Sequence, residues 1–221
     1  MKFTVDTSKD RIPFKSNKWL WLFITVFAIV WINTYLGTTD LNNWFLENTL
    51  TVLSLIFLIT SFKKYQFSDL TYLFICIYLC MHVYGSKYTY AENPLGYYLQ
   101  DLLHTSRNQY DRIVHFSFGF LLAYPIRELF IQWLKYPKSA AWITPIEISL
   151  SIGGIYELIE WAVADIFFTE QGAAYLGTQG DVWDAQKDVF YAFTGAILAS
   201  SLISLIHRFK TTQQSNQTLN P

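Results

Sequence analysis

The chain has 221 residues, of which 52% are hydrophobic and 19% are aromatic, whereas only 15% are charged. Soluble domains carry about a quarter charged residues, so this composition favours a lipid environment. The formal net charge of −1 argues against a nucleic-acid partner and against a basic protein that lies on a membrane surface. We therefore expect a protein embedded in membrane lipids.

Six apolar segments are candidates for membrane-spanning helices, because a bilayer core of about 30 Å needs roughly 20 mostly apolar residues. They cover residues 19–36, 44–62, 69–84, 112–134, 141–168 and 186–207. The sequence shows neither an internal repeat nor a second domain. It predicts an all-α polytopic membrane protein with about six transmembrane helices in one bundle, forming a single membrane domain over residues 1–221.

The distribution of Lys and Arg predicts the orientation. If the helices alternate in direction, one side of the membrane receives 12 of the 16 Lys and Arg residues and the other receives 4. Positive residues accumulate on the cytoplasmic side, so both termini are predicted to be cytoplasmic. The outer side then receives two long loops, around residues 85–111 and 169–185. Within the first loop, residues 95–104 are typical of a short amphipathic helix that lies on the outer leaflet or caps a cavity.

Acidic residues and histidine occur at helical spacing in three segments that this topology brings to the outer side. Residues three or four apart on a helix share a face. The pairs are Asp111 and His115 at the start of the fourth helix, Glu157 and Glu160 at the end of the fifth, and Asp184 and Asp188 at the start of the sixth. We expect His82, near the outer end of the third helix, and Glu47 with Asn48, at the start of the second, to lie close to them.

Ionisable groups at membrane depth face the bundle interior or a wet cavity, and clustered carboxylates repel unless protons or cations neutralise them. Five acids with one histidine are the ligand types of a carboxylate–histidine metal site in a helical bundle. The predicted ligands of a divalent metal ion are therefore Asp111, His115, Glu157, Glu160, Asp184 and Asp188. Such an ion acts as a Lewis acid or activates a water molecule, with a neighbouring carboxylate as general base.

Two other interpretations stay open beside the metal site. The same carboxylates suit a small transporter or proton-coupled carrier, and they equally suit a structural polar network in a non-catalytic membrane scaffold. In the structural interpretation, Asp111 pairs with its neighbour Arg112, Lys187 neutralises Asp184 or Asp188, and Asp181 caps the last helix. Whether the chain is an enzyme is left open by these residues.

Three segments carry a resemblance to a known family. Residues 107–116 (RNQYDRIVHF), 156–161 (YELIEW) and 180–188 (GDVWDAQKD) resemble the YjdF-like family of bacterial inner-membrane proteins. The likeness extends from about the first helix to the sixth. It implies a multi-pass protein of the bacterial cytoplasmic (inner) membrane and no established activity.

A more distant likeness is to VanZ-like proteins, whose pattern contains an Asp-Lys-x-x-His-Phe stretch. Residues 111–116 fit this stretch with Arg112 in place of Lys, whereas Trp161 stands where that family often has Gln. VanZ-like proteins are associated with the cell envelope. The resemblance therefore implies an envelope substrate. Our leading hypothesis is that the site binds or acts on a lipid or a lipid-linked envelope molecule.

Overall fold

The computed structural model describes residues 4, 12–167 and 176–219, with the backbone alone at residues 208 and 210–219. Within these ranges the regular structure is entirely helical, which confirms the all-α prediction. The helices are α1 (Lys18–Gly37), α2 (Leu41–Phe62), α3 (Asp69–Lys87), α4 (Pro94–Leu103), α5 (Tyr110–Gln132), α6 (Thr144–Ala162) and α7 (Asp184–Leu219). Whether the whole chain forms one domain stays a prediction.

Five of these helices are long and apolar enough to cross a membrane: α1, α2, α3, α5 and residues Asp184–His207 of α7. They correspond to five of the six predicted segments, with ends that differ by up to three residues. The sixth segment corresponds to α6, which has 19 residues and carries Glu147, Glu157 and Glu160. The sixth crossing therefore remains a prediction.

The bounds predicted for the fifth segment are wrong, and the helix that contains the sixth segment extends beyond it. Helix α6 starts at Thr144, where Pro145 occupies the first turn, and residues 140–142 form a separate 3-10 turn. Its α-helical hydrogen bonds end at Ala162, and a π-helical turn, Val163–Phe167, follows. Residue 168 lies outside the described residues. Helix α7 continues past the apolar segment to Leu219, because its polar C-terminal part contains no Gly or Pro to interrupt the helix.

Helix α5 is the centre of the bundle and packs against α3, α6 and α7, while α3 also packs against α1 and α2. The closest approach is between α5 and α7. A Cβ atom at Gly119 would lie 1.8 Å from the carbonyl oxygen of Ala192, and one at Gly195 would lie 2.2 Å from that of Phe116. Small residues let the two backbones meet, as is common between membrane helices. This contact fixes the starts of α5 and α7 side by side.

Two buried acids hold the start of α3. Glu128 on α5 accepts hydrogen bonds from the Ser68 amide (2.9 Å), the Ser68 hydroxyl (2.8 Å) and the Thr71 hydroxyl. Asp69 accepts from Asn17 Nδ2 (2.6 Å) and from the amide of Thr4 (2.8 Å). The free amides at the start of a helix need such partners. The two acids therefore tie α3 to α5 and to the N-terminal segment.

Helix α4 confirms the short helix predicted at residues 95–104. The side chain of Asn93 accepts a hydrogen bond from the Leu95 amide (3.0 Å), Pro94 occupies the first turn, and His104 ends the helix in the left-handed conformation. Its Leu95, Tyr98, Leu102 and Leu103 side chains are exposed. The helix thus presents an apolar face away from the bundle.

Candidate functional site

A cavity of about 430 Å³ lies between α2, α3, α5 and α6. One part of its wall is apolar and consists mainly of Leu53, Phe57, Phe118, Leu122, Ile126 and Leu129. The opposite part is polar and consists of Glu47, His82, Tyr90, Asp111, His115, Tyr156 and Glu160. These seven residues lie where α2 and α5 start and where α3 and α6 end, which we call the acid end of the bundle. The cavity is therefore amphipathic along the direction of the helices.

His115 is at the centre of the acid end. Its Nε2 atom lies 3.5 Å from Oδ1 of Asp111, one turn earlier on α5, and 3.8 Å from Oε1 of Glu157 on α6. Asp188 on α7 completes the group, since Asp111, His115 and Asp188 each have a ligand atom within 4.8 Å of the other two. We call these four residues the His115 cluster. Helical spacing brings Asp111 to His115, and the packing of α5 between α6 and α7 brings the other two acids.

Behind the His115 cluster, two arginines join the start of α5 to the start of α7. The guanidinium of Arg112 contacts Asp188 and lies 2.5 Å from Oδ1 of Asp184 and 3.2 Å from Oδ2 of Asp181. Arg107 also contacts Asp184 and lies 3.7 Å from Oδ2 of Asp181. We call these five residues the arginine clasp. Apart from Asp181, its charged side chains are buried together at the contact between α5 and α7.

Asp181 lies at the outer edge of the clasp, before α7. Its Oδ2 accepts a hydrogen bond from Nζ of Lys187 (2.7 Å), and its Oδ1 accepts one from the amide of Trp183 (3.1 Å). The hydrogen bond from Lys187 and then the one from the Trp183 amide hold the pKa of Asp181 below its ordinary value. Asp181 therefore stabilises the turn that leads into α7.

A second polar group faces the His115 cluster from α2 and α3. His82 Nε2 lies 3.1 Å from the backbone carbonyl of Glu47, and His82 Nδ1 lies 2.5 Å from the hydroxyl of Tyr90. Because a carbonyl only accepts, Nε2 carries the proton and Nδ1 accepts from the tyrosine. The Glu47 side chain is buried and accepts from the Tyr156 hydroxyl through Oε2 at 3.4 Å.

The position of Tyr90 depends on its backbone and on Gly85. Thr89 and Tyr90 both have positive φ angles, 50° and 54°, which are uncommon for residues with a Cβ atom. A Cβ atom at Gly85 would lie 2.5 Å from the Tyr90 ring, so only glycine leaves room for it. Burial and then the nearby Glu47 carboxylate raise the pKa of Tyr90 well above its ordinary value. The hydroxyl consequently stays protonated and acts as a donor.

Comparison with known proteins identifies the family. The family described as predicted membrane protein (DUF2238) matches residues 19–209. The chain belongs to this family. It is similar to the inner membrane protein YjdF of Escherichia coli (strain K12), with 33% identity over 183 residues, which are 81% of this chain and 86% of the relative. No solved structure matches.

Membership of the DUF2238 family confirms the resemblance to YjdF-like proteins, and the chain is a multi-pass protein of the inner membrane. The likeness to VanZ-like proteins stays a prediction. So do the divalent metal, the lipid-linked ligand and the orientation of the termini.

The structure brings most of the predicted site residues of this DUF2238 protein together. Asp111, His115, Glu157 and Asp188 meet in one cluster, and His82 and Glu160 line the same cavity. Asp184 faces the two arginines of the clasp. Of the two α2 residues expected nearby, Glu47 lines the cavity. Asn48 instead donates to Ser86 Oγ (3.0 Å) and accepts from Trp31 Nε1 (2.6 Å), so it joins α1, α2 and α3.

The charge pairing differs from the one expected for a structural network. Arg112 turns away from its sequence neighbour Asp111 and reaches α7, because adjacent residues on a helix point in different directions. Lys187 pairs with Asp181 and not with Asp184 or Asp188. Two contributors were not predicted: Arg107, whose spacing of four from Asp111 was an available signal, and Tyr90, which reaches the cavity from a turn that carries no periodic pattern.

Proposed function

We propose that this protein binds the polar end of an amphiphile, a lipid or a lipid-linked envelope molecule, together with a divalent metal ion at the acid end of its cavity. The observation that carries the proposal is the division of the cavity wall into an apolar part and a part with carboxylates, histidines and tyrosine hydroxyls. Ligand sites combine largely apolar walls with a few convergent polar groups. An amphiphile matches both parts of this wall.

The acid end faces outward in this proposal. Helices α5 and α7 both start at the acid end, so the chain between them has to return through α6, which makes α6 the sixth crossing. With six crossings both termini lie on the side that carries 12 of the 16 Lys and Arg residues, the cytoplasmic side. The cavity then receives its ligand from the outer leaflet.

Sideways entry from the leaflet is supported by the packing of α2 and α6. Helix α2 packs on α3, and α6 packs on α5 and α7, whereas α2 and α6 make at most slight contact with each other. Both helices line the cavity. An apolar tail can therefore enter between them while its polar group stays near the membrane surface, and the exposed apolar face of α4 lies in the same leaflet.

The His115 cluster supplies suitable metal ligands. Two ligands at about 2.1 Å from a tetrahedral ion lie roughly 3.4 Å apart, close to the 3.5 Å between His115 Nε2 and Asp111 Oδ1. Oε1 of Glu157 is buried and has no hydrogen-bond partner among the described residues. We propose Asp111, His115, Glu157 and Asp188 as the ligands and leave Asp184 in the clasp. A divalent ion there acts as a Lewis acid or lowers the pKa of a bound water molecule.

The cavity supports transport less well than amphiphile binding. Its charged residues gather at the acid end, and the rest of its described lining is apolar except for the hydroxyl groups of Ser54, Tyr78 and Thr89. Proton and ion paths through membranes use chains of ionisable residues. A polar network accounts for the arginine clasp, where acids and arginines face each other, but not for the carboxylates that line the cavity.

The test is to fill the apolar part of the cavity. Ser54 lines it, whereas Thr49 is on the same helix, exposed and away from the cavity. We expect Ser54→Trp to remove bound lipid from the detergent-purified protein, as measured by native mass spectrometry, and Thr49→Trp to retain it. Equal lipid occupancy in both variants, with unchanged thermal stability, would contradict the proposal.

A further inference from the structure

The acid end holds more carboxyl groups than basic side chains. Seven carboxyl groups line the cavity or belong to the His115 cluster and the arginine clasp. Three Lys or Arg side chains contact four of them, Asp111, Asp181, Asp184 and Asp188. Among the described residues, no Lys or Arg forms an ion pair with the remaining three: Glu47, Glu157 and Glu160. Residues 168–175 contain no Lys or Arg either. A divalent ion in the His115 cluster would pair with Glu157 and would leave Glu47, on the α2 side of the cavity, without a cationic partner.

Glu47 is the carboxylate on that side. Its side chain is only 5% exposed, and it lines the cavity. Oε2 accepts the long hydrogen bond from Tyr156, whereas Oε1 accepts from no described residue. This oxygen keeps free acceptor capacity at the cavity that Glu47 lines, so the site favours an occupant that brings N–H or O–H groups to it.

Aromatic rings surround the same position. The rings of Tyr78, Tyr90 and Tyr156 line the cavity, and Tyr78 lies 5.7 Å from Phe118 between ring centroids. Aromatic faces attract organic cations, and the attraction grows when water is excluded. Rings together with an acceptor that lacks a donor indicate an ammonium group with N–H bonds, because a quaternary ammonium has no hydrogen to donate.

We infer that the occupant of the cavity is an amphiphile with a primary ammonium group, and that Glu47 and the three tyrosine rings bind this group. The inference rests on the proposed function and names the class of its ligand. Phosphatidylethanolamine and a simple long-chain alkylamine both carry this chemistry. In phosphatidylethanolamine, the phosphate next to the ammonium would face a metal ion in the His115 cluster.

The experiment compares lipids on the full-length protein in detergent. Binding of phosphatidylethanolamine is measured beside its N-acetylated form and phosphatidylglycerol, and dodecylamine is measured beside dodecanol. We expect the ammonium lipid to bind at least about tenfold more tightly than its acetylated form, since acetylation removes the positive charge and leaves a neutral amide N–H as the donor. If dodecylamine binds more tightly than dodecanol, the ammonium group alone suffices. If the two bind equally, the phosphate next to the ammonium is required as well.

Variants connect the preference to Glu47. Glu47→Gln is expected to abolish the preference for the ammonium lipid while the metal content stays unchanged, and Glu92→Gln, an exposed acid in the turn before α4, is expected to keep it. Equal affinity of the wild-type protein for the acetylated lipid, or an unchanged preference in Glu47→Gln, would overturn the inference and leave the proposed function intact. Failure of every amphiphile to bind would overturn both. The comparison of lipids on the wild-type protein does not depend on the stability of any variant.

Discussion

Arg112 on α5 and Asp188 on α7 form an ion pair in which each residue is less than 5% exposed. The same guanidinium reaches Asp184, the first residue of α7. One arginine thus connects two helices at the depth where the His115 cluster lies. Asp188 belongs to both the arginine clasp and the His115 cluster, so the clasp also positions one proposed metal ligand.

Removing this arginine is expected to destabilise the protein strongly. Arg112→Met leaves the buried Asp188 without its arginine partner and Asp184 with Arg107 alone, and breaking a buried ion pair costs about 3–5 kcal/mol. Lys187→Met is the control, because the Lys187 side chain is half exposed and surface pairs contribute about 0–1 kcal/mol. Thermal unfolding in detergent measures both variants. An equal effect of the two substitutions would show that the clasp does not hold the bundle.

The close contact between α5 and α7 predicts that alanine substitution at two glycines changes stability very differently. Gly119→Ala pushes a methyl group into the Ala192 carbonyl and is expected to cost about 1–3 kcal/mol or more. Gly154→Ala on α6 meets no atom within 4 Å and is expected to be neutral or slightly stabilising, because alanine favours the helix by about 1 kcal/mol. Melting temperatures of the two variants test this. If Gly119→Ala is tolerated as well as Gly154→Ala, the two helices do not approach so closely.

The opposite end of the bundle predicts a role for Glu128 in stability. Glu128→Gln replaces one acceptor oxygen with a donor that faces the Ser68 amide and hydroxyl, and a lost partner at a buried site costs about 1–3 kcal/mol. Glu147→Gln changes an exposed acid of α6 and is expected to stay within about 0.5 kcal/mol of the wild-type protein. Chemical unfolding in a mixed detergent system measures the difference, and equal free energies of unfolding would contradict it.

The proposed orientation predicts which loops a membrane-impermeant thiol reagent reaches. Val182→Cys, before α7, is expected to react in right-side-out membrane vesicles, whereas Lys138→Cys, between α5 and α6, is expected to react only after the membrane is permeabilised. Both positions are exposed, and the native Cys76 and Cys80 lie within α3. The reverse pattern would invert the topology and move the cavity mouth to the cytoplasmic side.

Apolar length predicted most of the fold, since every long helix corresponds to one apolar segment. It could not predict where α6 and α7 end. The π-helical turn after Ala162 is apolar except for Asp165, and the last part of α7 is polar yet uninterrupted by Gly or Pro. Helix ends depend on local hydrogen bonds and on chain breakers, which apolarity does not report.

Helical spacing predicted part of the candidate site for a simple reason. Asp111 and His115 are one turn apart, so their contact follows from the helix alone. Partners on different helices depend on how those helices pack. The sequence therefore could not show that Arg112 reaches α7 or that Tyr90 reaches His82 from a turn with positive φ angles.

The metal content of the purified protein tests the central claim most directly. Elemental analysis of the wild-type protein is expected to find about one divalent ion per chain, lost in His115→Ala and in Glu157→Ala and retained in the exposed control Glu147→Ala. The variants have to be folded, which their unfolding transitions establish. A wild-type protein that stays free of metal after dialysis against divalent ions, with variants that only unfold at lower temperature, would contradict the account and leave the acid end as a structural polar network.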